Sequence, residues 1–222
     1  AKLLKGSVHE PVASAECDSC HKAPGDANPF QTKQEGVELC LTCHEKDTLM
    51  GDGSVEHEPF QSGMCISCHN PHTSEQTKLL SDKGNQLCFT CHADTSSMVK
   101  FQHAPLVSER GCLSCHAPHA AKYEKLVNKT DGDLCFECHT STRKEGKKLQ
   151  NIHSPYEEKM CTSCHNPHGS GAEQILTTRP DQICYSCHTE LEGEFFKFNI
   201  HKPVQNGLCT SCHLGHGGSQ VK

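Results

Sequence analysis

Eighteen cysteines and eighteen histidines in 222 residues carry the chemistry of this chain. Every cysteine lies in a Cys-x-x-Cys-His motif: Cys17-Cys20-His21, Cys40-Cys43-His44, Cys65-Cys68-His69, Cys88-Cys91-His92, Cys112-Cys115-His116, Cys135-Cys138-His139, Cys161-Cys164-His165, Cys184-Cys187-His188 and Cys209-Cys212-His213. Nine such pairs are too many for a redox dithiol, which needs one beside a βαβ unit. Zinc knuckles pair two to a metal, and nine do not divide evenly. Disulfides would account for the cysteines but not for the histidine after each pair. Covalent c-type haem uses every part: the two thiols add to the vinyl groups and the histidine reaches the iron as proximal ligand. The motifs therefore predict nine covalently bound haem c groups.

The nine remaining histidines keep phase with the motifs. His9, His57, His103, His153 and His201 each stand in His-x-Pro, eight or nine residues before an odd-numbered motif. His72, His119, His168 and His216 follow odd motifs by three residues. All nine are expected to be distal ligands, one per haem. If each His-x-Pro histidine serves the odd motif just after it, the four even haems need four ligands and four remain. Backward assignment then gives His72, His119, His168 and His216 to the second, fourth, sixth and eighth haems. It also explains why His21-Lys22-Ala23-Pro24 lacks the extra histidine. A forward assignment leaves the second haem without a ligand, unless His216 serves a neighbouring molecule in a filament. Backward pairing is the favoured expectation.

Elements must position these groups without an ordinary core. Tryptophan is absent, aromatic residues make up 5% and hydrophobic residues 34%, so the macrocycles must supply the apolar interior. Motif starts recur every 23 to 26 residues, and odd and even flanks differ. The repeat is thus about 48 residues carrying two haems, with four repeats and a terminal half over residues 1–222, read as one nonahaem domain. Each Cys-x-x-Cys-His should form a single helical turn, because i and i+3 share a face. Proline after His-x places that histidine on extended or turning backbone. The expected fold is a multihaem cytochrome c: mostly coil with short α-helices, little or no β-sheet, the chain extended around a linear haem array.

Apolar residues beside the even motifs (Leu39, Leu87, Leu134, Ile183) and the pairs Leu79-Leu80, Leu126-Val127 and Ile175-Leu176 read as packing against haem faces. Met50, Met64, Met98 and Met160 read as packing rather than ligands, and Arg143, Lys144, Lys147 and Lys148 as a solvated loop. A net charge of −6 gives no case for nucleic acid. No apolar run approaches the length of a transmembrane helix, and the sequence reads as an exported, mature form.

Over its whole length the chain resembles the multihaem c-type cytochromes with paired C-x-x-C-H motifs. His103-Ala104-Pro105 leading to Cys112, Cys161-Thr162-Ser163-Cys164-His165-Asn166-Pro167-His168-Gly169-Ser170, and Thr178-Arg179-Pro180-Asp181-Gln182-Ile183-Cys184 are similar to the decahaem periplasmic cytochromes of porin–cytochrome conduits. The chain has one motif fewer. The His-x-Pro spacing also resembles the distal-ligand spacing of small tetrahaem cytochromes. These resemblances imply a haem wire assembled outside the cytoplasm, periplasmic or extracellular. Redox proteins would stand at its ends, and an outer-membrane porin or identical filament subunits are possible surroundings. Six-coordinate bis-histidine iron leaves no substrate position, so conduction of single electrons is expected and catalysis is not.

Overall fold

In the computed structural model, residues 6–93, 99–194 and 198–219 are described; Met98 lies outside them. They carry short helices, single 3-10 turns and three two-stranded ribbons, which meets the expectation of short helices with little sheet. The longest helix, Pro180–Cys187, has 8 residues, too few to be stable by itself.

The local unit is one turn of helix per motif. In all nine, the histidine N–H donates to the carbonyl of the first cysteine at 2.9–3.0 Å. Odd motifs such as Cys17–Ser19, Cys65–Ser67, Cys161–Ser163 and Cys209–Ser211 open as 3-10 turns. Even motifs close longer helices: Val37–Leu41, Gly84–Phe89, Asp131–Cys135 and Pro180–Cys187. Each turn brings both thiols and the imidazole to one side.

Every His-x-Pro histidine is a helix N-cap on extended or near-extended backbone (His9 has φ −65°, ψ 137°), with proline in the first turn. The residues before His9, His57 and His153 form a short strand that pairs antiparallel with the residues after Cys-His-x-x-His one repeat later. Val8 faces Thr73, Glu56 faces Ala120 and Ile152 faces Gly217. Phe101 and Ser170 exchange both backbone bonds in the same way. These ribbons are the long-range stitching between repeats.

A second stitch joins each even motif to the next odd one. Three residues before the even cysteine, Val37, Asn85 and Asp181 press on Gly63, Gly111 and Gly207, where an added Cβ would meet them at 2.5, 1.8 and 2.9 Å. Those glycines have φ of +70°, +50° and +70°. At the third junction the roles are exchanged. Lys159 takes the left-handed position (φ 60°), and the facing residue is Gly132, whose added Cβ would lie 2.4 Å from that of Lys159. One member of each contact is glycine because two side chains do not fit. Gly63→Ala is therefore expected to lose about 2–4 kcal/mol, from left-handed strain and overpacking together. Adding Val37→Gly should return the overpacking part. Denaturation of holoprotein checks both variants, and an unchanged midpoint for the single variant refutes the account.

The chain gathers into two compact units, residues 6–93 with 109–128, and residues 99–108 with 129–194 and 198–219. Among the described residues the buried apolar side chains are Ala120 and Ala121, and no large side chain is fully buried. The basic residues Arg143 and Lys144 lie on an exposed helix, Thr140–Gly146, and not on the expected loop. Tyr156 holds that helix by donating to the Thr142 carbonyl at 2.8 Å, and its ring fills the space beside Gly146. Met64 and Met160 are half exposed beside their cysteines.

Candidate haem centres

The histidines meet in opposed pairs. His44, His92, His139 and His188 of the even motifs face His9, His57, His103 and His153, with ring centroids 6.0, 6.0, 6.0 and 6.2 Å apart and planes within 14–20° of parallel. His21, His69 and His165 of odd motifs face His72, His119 and His216 at 5.9, 6.1 and 6.2 Å, with planes tilted by 41–50°. A metal between two imidazoles requires this gap. Two bonds of about 2.0 Å and about 1.1 Å from each nitrogen to its ring centre give roughly 6.2 Å. The donor set thus fits a bis-histidine iron.

This pairing corrects the sequence expectation. His-x-Pro histidines do not face the odd motif they precede; they reach past it to the even motif 35 or 36 residues on. The second set does not serve even haems; His72, His119 and His216 face the odd motif one repeat back. The ribbon is the reason. His9, His57 and His153 donate their backbone N–H to the carbonyls of His72, His119 and His216, so each ribbon presents two histidines to two different motifs. His116 and His168 lie one in each compact unit. His116 donates Nδ1–H to Lys125 O at 2.7 Å, and the His168 N–H bonds Asn166 Oδ1 at 3.0 Å. Neither His201 nor His213 has an imidazole opposed to it among the described residues.

One imidazole in every pair is oriented by a carbonyl. His9, His57, His103 and His153 donate Nδ1–H to Pro71, Pro118, Pro167 and Gly215 at 2.8–3.0 Å. His21, His69 and His165 donate to Phe30, Lys78 and Gln174 at 2.8–2.9 Å. Such a bond fixes the tautomer, leaves Nε2 as the ligating atom and raises its basicity. Burial holds His119 and His216 below the usual imidazole range, which favours the neutral form a metal needs.

Some of these supports were invisible in the sequence. The apolar pairs Leu79-Leu80, Leu126-Val127 and Ile175-Leu176 are part of a left-handed turn. Lys78, Lys125 and Gln174, whose carbonyls hold the proximal histidines, have φ of 56°, 61° and 55°, and the next residue is also left-handed. Strain at β-branched Ile175 (φ 52°) marks a backbone set by its surroundings. Phe60 stacks on His119 at 4.9 Å and the Tyr156 ring lies tilted against His216 at 4.7 Å; their only signal was an aromatic residue after His-x-Pro.

Motifs that are neighbours in sequence are neighbours in space within each unit. Burial, then Cys65 and Cys20, push the Cys40 thiol up. Burial, with Cys112 and Cys68 beside it, pushes Cys88 up to about 11. Cys184 rises to about 11 through burial, Cys209 and Cys164. The sulfurs of Cys135 and Cys161 and a carboxylate oxygen of Asp131 all lie within 4.8 Å of one another. Asp131 also receives the Thr162 N–H and hydroxyl, tying the two motifs together. No helix among the described residues is long and apolar enough to cross a membrane.

A search of curated proteins finds no match to the chain. The doubled CXXCH motif family matches residues 9–49, 57–97, 103–144 and 153–193, about three quarters of the length. Each matched segment runs from a His-x-Pro histidine through the even motif, the two ends that the structure brings face to face. The chain therefore belongs to the doubled CXXCH motif family and is a multihaem c-type cytochrome.

Proposed function

We propose that the protein conducts single electrons along nine covalently bound haem c groups, and that it has no catalytic centre of its own. The observation that carries this is the set of opposed imidazole pairs 5.9–6.2 Å apart. Haem supplies a one-electron couple whose potential follows its axial ligands and surroundings. The protein's residues do the rest. In each opposed pair two imidazoles would hold the iron, which would leave no place for a substrate there. Carbonyl bonds and ribbons hold one imidazole of each pair in place, which would keep reorganisation small. Contact between cysteines of consecutive motifs sets the order of transfer within a unit. The paired imidazoles alternate between near-parallel and tilted, which gives two electronic classes of centre.

Thioether attachment supports a working place outside the cytoplasm, periplasmic or extracellular, between a donor and an acceptor protein. A porin conduit is supported by motif resemblance. Intact mass should show nine haems, and coulometric reduction should take up nine electrons per chain without a substrate. Fewer haems, or steady turnover of a small substrate at several centres, would overturn this reading.

A further inference from the structure

Three features at the C-terminal end of the described chain are half of something built elsewhere in it. Asn199-Ile200-His201-Lys202-Pro203 repeats Asn151-Ile152-His153-Ser154-Pro155 in kind. Asn151–Ile152 forms a ribbon with Gly217–Gly218, and His153 reaches His188. Among the described residues no strand pairs with residues 199–200, although His201 caps its helix Lys202–Gln205 on near-extended backbone like the others (φ −60°, ψ 127°). His213 sits on the usual turn, its N–H bonded to Cys209 O at 3.0 Å, with no imidazole opposed to it.

The offsets say where the missing halves belong. A His-x-Pro histidine meets the histidine 35 or 36 residues on, which for His201 is position 236 or 237. An odd-motif histidine meets one 50 or 51 residues on, which for His213 is position 263 or 264. Both lie beyond residue 222. A second copy of this chain, joined head to tail, does not supply them. Its even-motif histidines, His44, His92, His139 and His188, already face His9, His57, His103 and His153.

We infer that this end is an acceptor surface for a further doubled C-x-x-C-H haem segment from outside residues 6–219. That segment brings an even motif whose haem takes His201, and a Cys-His-x-Pro-His whose last histidine closes the haem of His213. Its strand would pair with residues 199–200, and its proline carbonyl would receive His201 Nδ1–H, as at Pro71, Pro118 and Pro167. This rests on the proposed haem reading. Electrons would then pass to or from a haem partner built on the same plan.

The test uses the 222-residue holoprotein with imidazole as the probe for the missing histidine. With nine haems by intact mass, electron paramagnetic resonance should show one high-spin ferric haem. Imidazole should convert that haem, and only that one, to low spin; after reduction, one haem in nine should bind carbon monoxide. His201→Ala should leave the count at one. In a chain extended after Ser219 by a second copy of residues 172–219, the parent should again show one high-spin haem, and His201→Ala should now add a second. Nine low-spin haems in dilute protein, with one lost on His201→Ala, would mean that His201 folds back on its own haem and would overturn the inference while leaving conduction intact. A high-spin haem that appears only on dilution would assign the surface to a second copy and also overturn it. Fewer than nine haems by mass would count against the haem reading itself.

Discussion

Expressed without haem attachment, the chain is expected to lose its folded structure, not merely its colour. Ordering the backbone costs about 1–2 kcal/mol per residue, and this polypeptide offers little side-chain burial in return. Its buried apolar side chains are two alanines among the described residues, while Ile66 and Phe30 stand 73% and 89% exposed. The helices among the described residues are eight residues or shorter, and the ribbons pair two residues from each strand. Neither element persists alone in water. The haems must supply both the apolar interior and, through their thioethers and the imidazoles that meet in opposed pairs, the cross-links. Far-ultraviolet circular dichroism of haem-free protein should therefore show coil. A helical signal near that of the holoprotein would refute this and would require a core that the structure does not have.

The parts of this molecule legible in sequence were those fixed by covalent chemistry and by short range. The Cys-x-x-Cys-His motifs mark covalent haem attachment, and their i to i+4 turn follows from spacing alone. Proline in His-x-Pro dictates the extended histidine at the helix start. What stayed hidden was the question of which histidine meets which motif. In a chain repeating every 48 residues, any histidine in phase has a constant offset from every motif. Constant spacing therefore supports every pairing equally. Counting ligands at the two ends favoured a scheme that closes within the chain, whereas the structure closes pairs across repeats, and among the described residues His201 and His213 face no imidazole. The deciding information is the ribbon, in which two residues pair with two others more than sixty positions away. Stretches as short as Ser7–Val8 carry no periodic signal. The left-handed turns at Lys78, Lys125 and Gln174 were equally silent, because lysine and glutamine do not advertise a positive φ.

Removing His57 decides between the two pairings, and its effect should be as large as the loss of an axial ligand. His57→Ala is expected to add one high-spin haem to those of the parent protein, because His57 stands opposite His92 at 6.0 Å. The haem affected should be the fourth, held by Cys88 and Cys91, and not the third, held by Cys65 and Cys68. Combining His57→Ala with Cys88→Ala and Cys91→Ala removes the haem that would have lost its ligand. The triple variant should carry eight haems by mass and show no added high-spin signal. Combining His57→Ala with Cys65→Ala and Cys68→Ala also leaves eight haems, yet the added signal should persist. The reverse pattern would restore the pairing of each His-x-Pro histidine with the motif just after it. A thioether in place of the imidazole gives an independent readout. His57→Met should keep the fourth haem low-spin while raising one potential in nine by on the order of a hundred millivolts, since methionine stabilises the ferrous state. That shift should vanish with Cys88→Ala and Cys91→Ala. A ligand that acts only by packing would move no potential at all, so the couple that shifts identifies the iron that His57 serves.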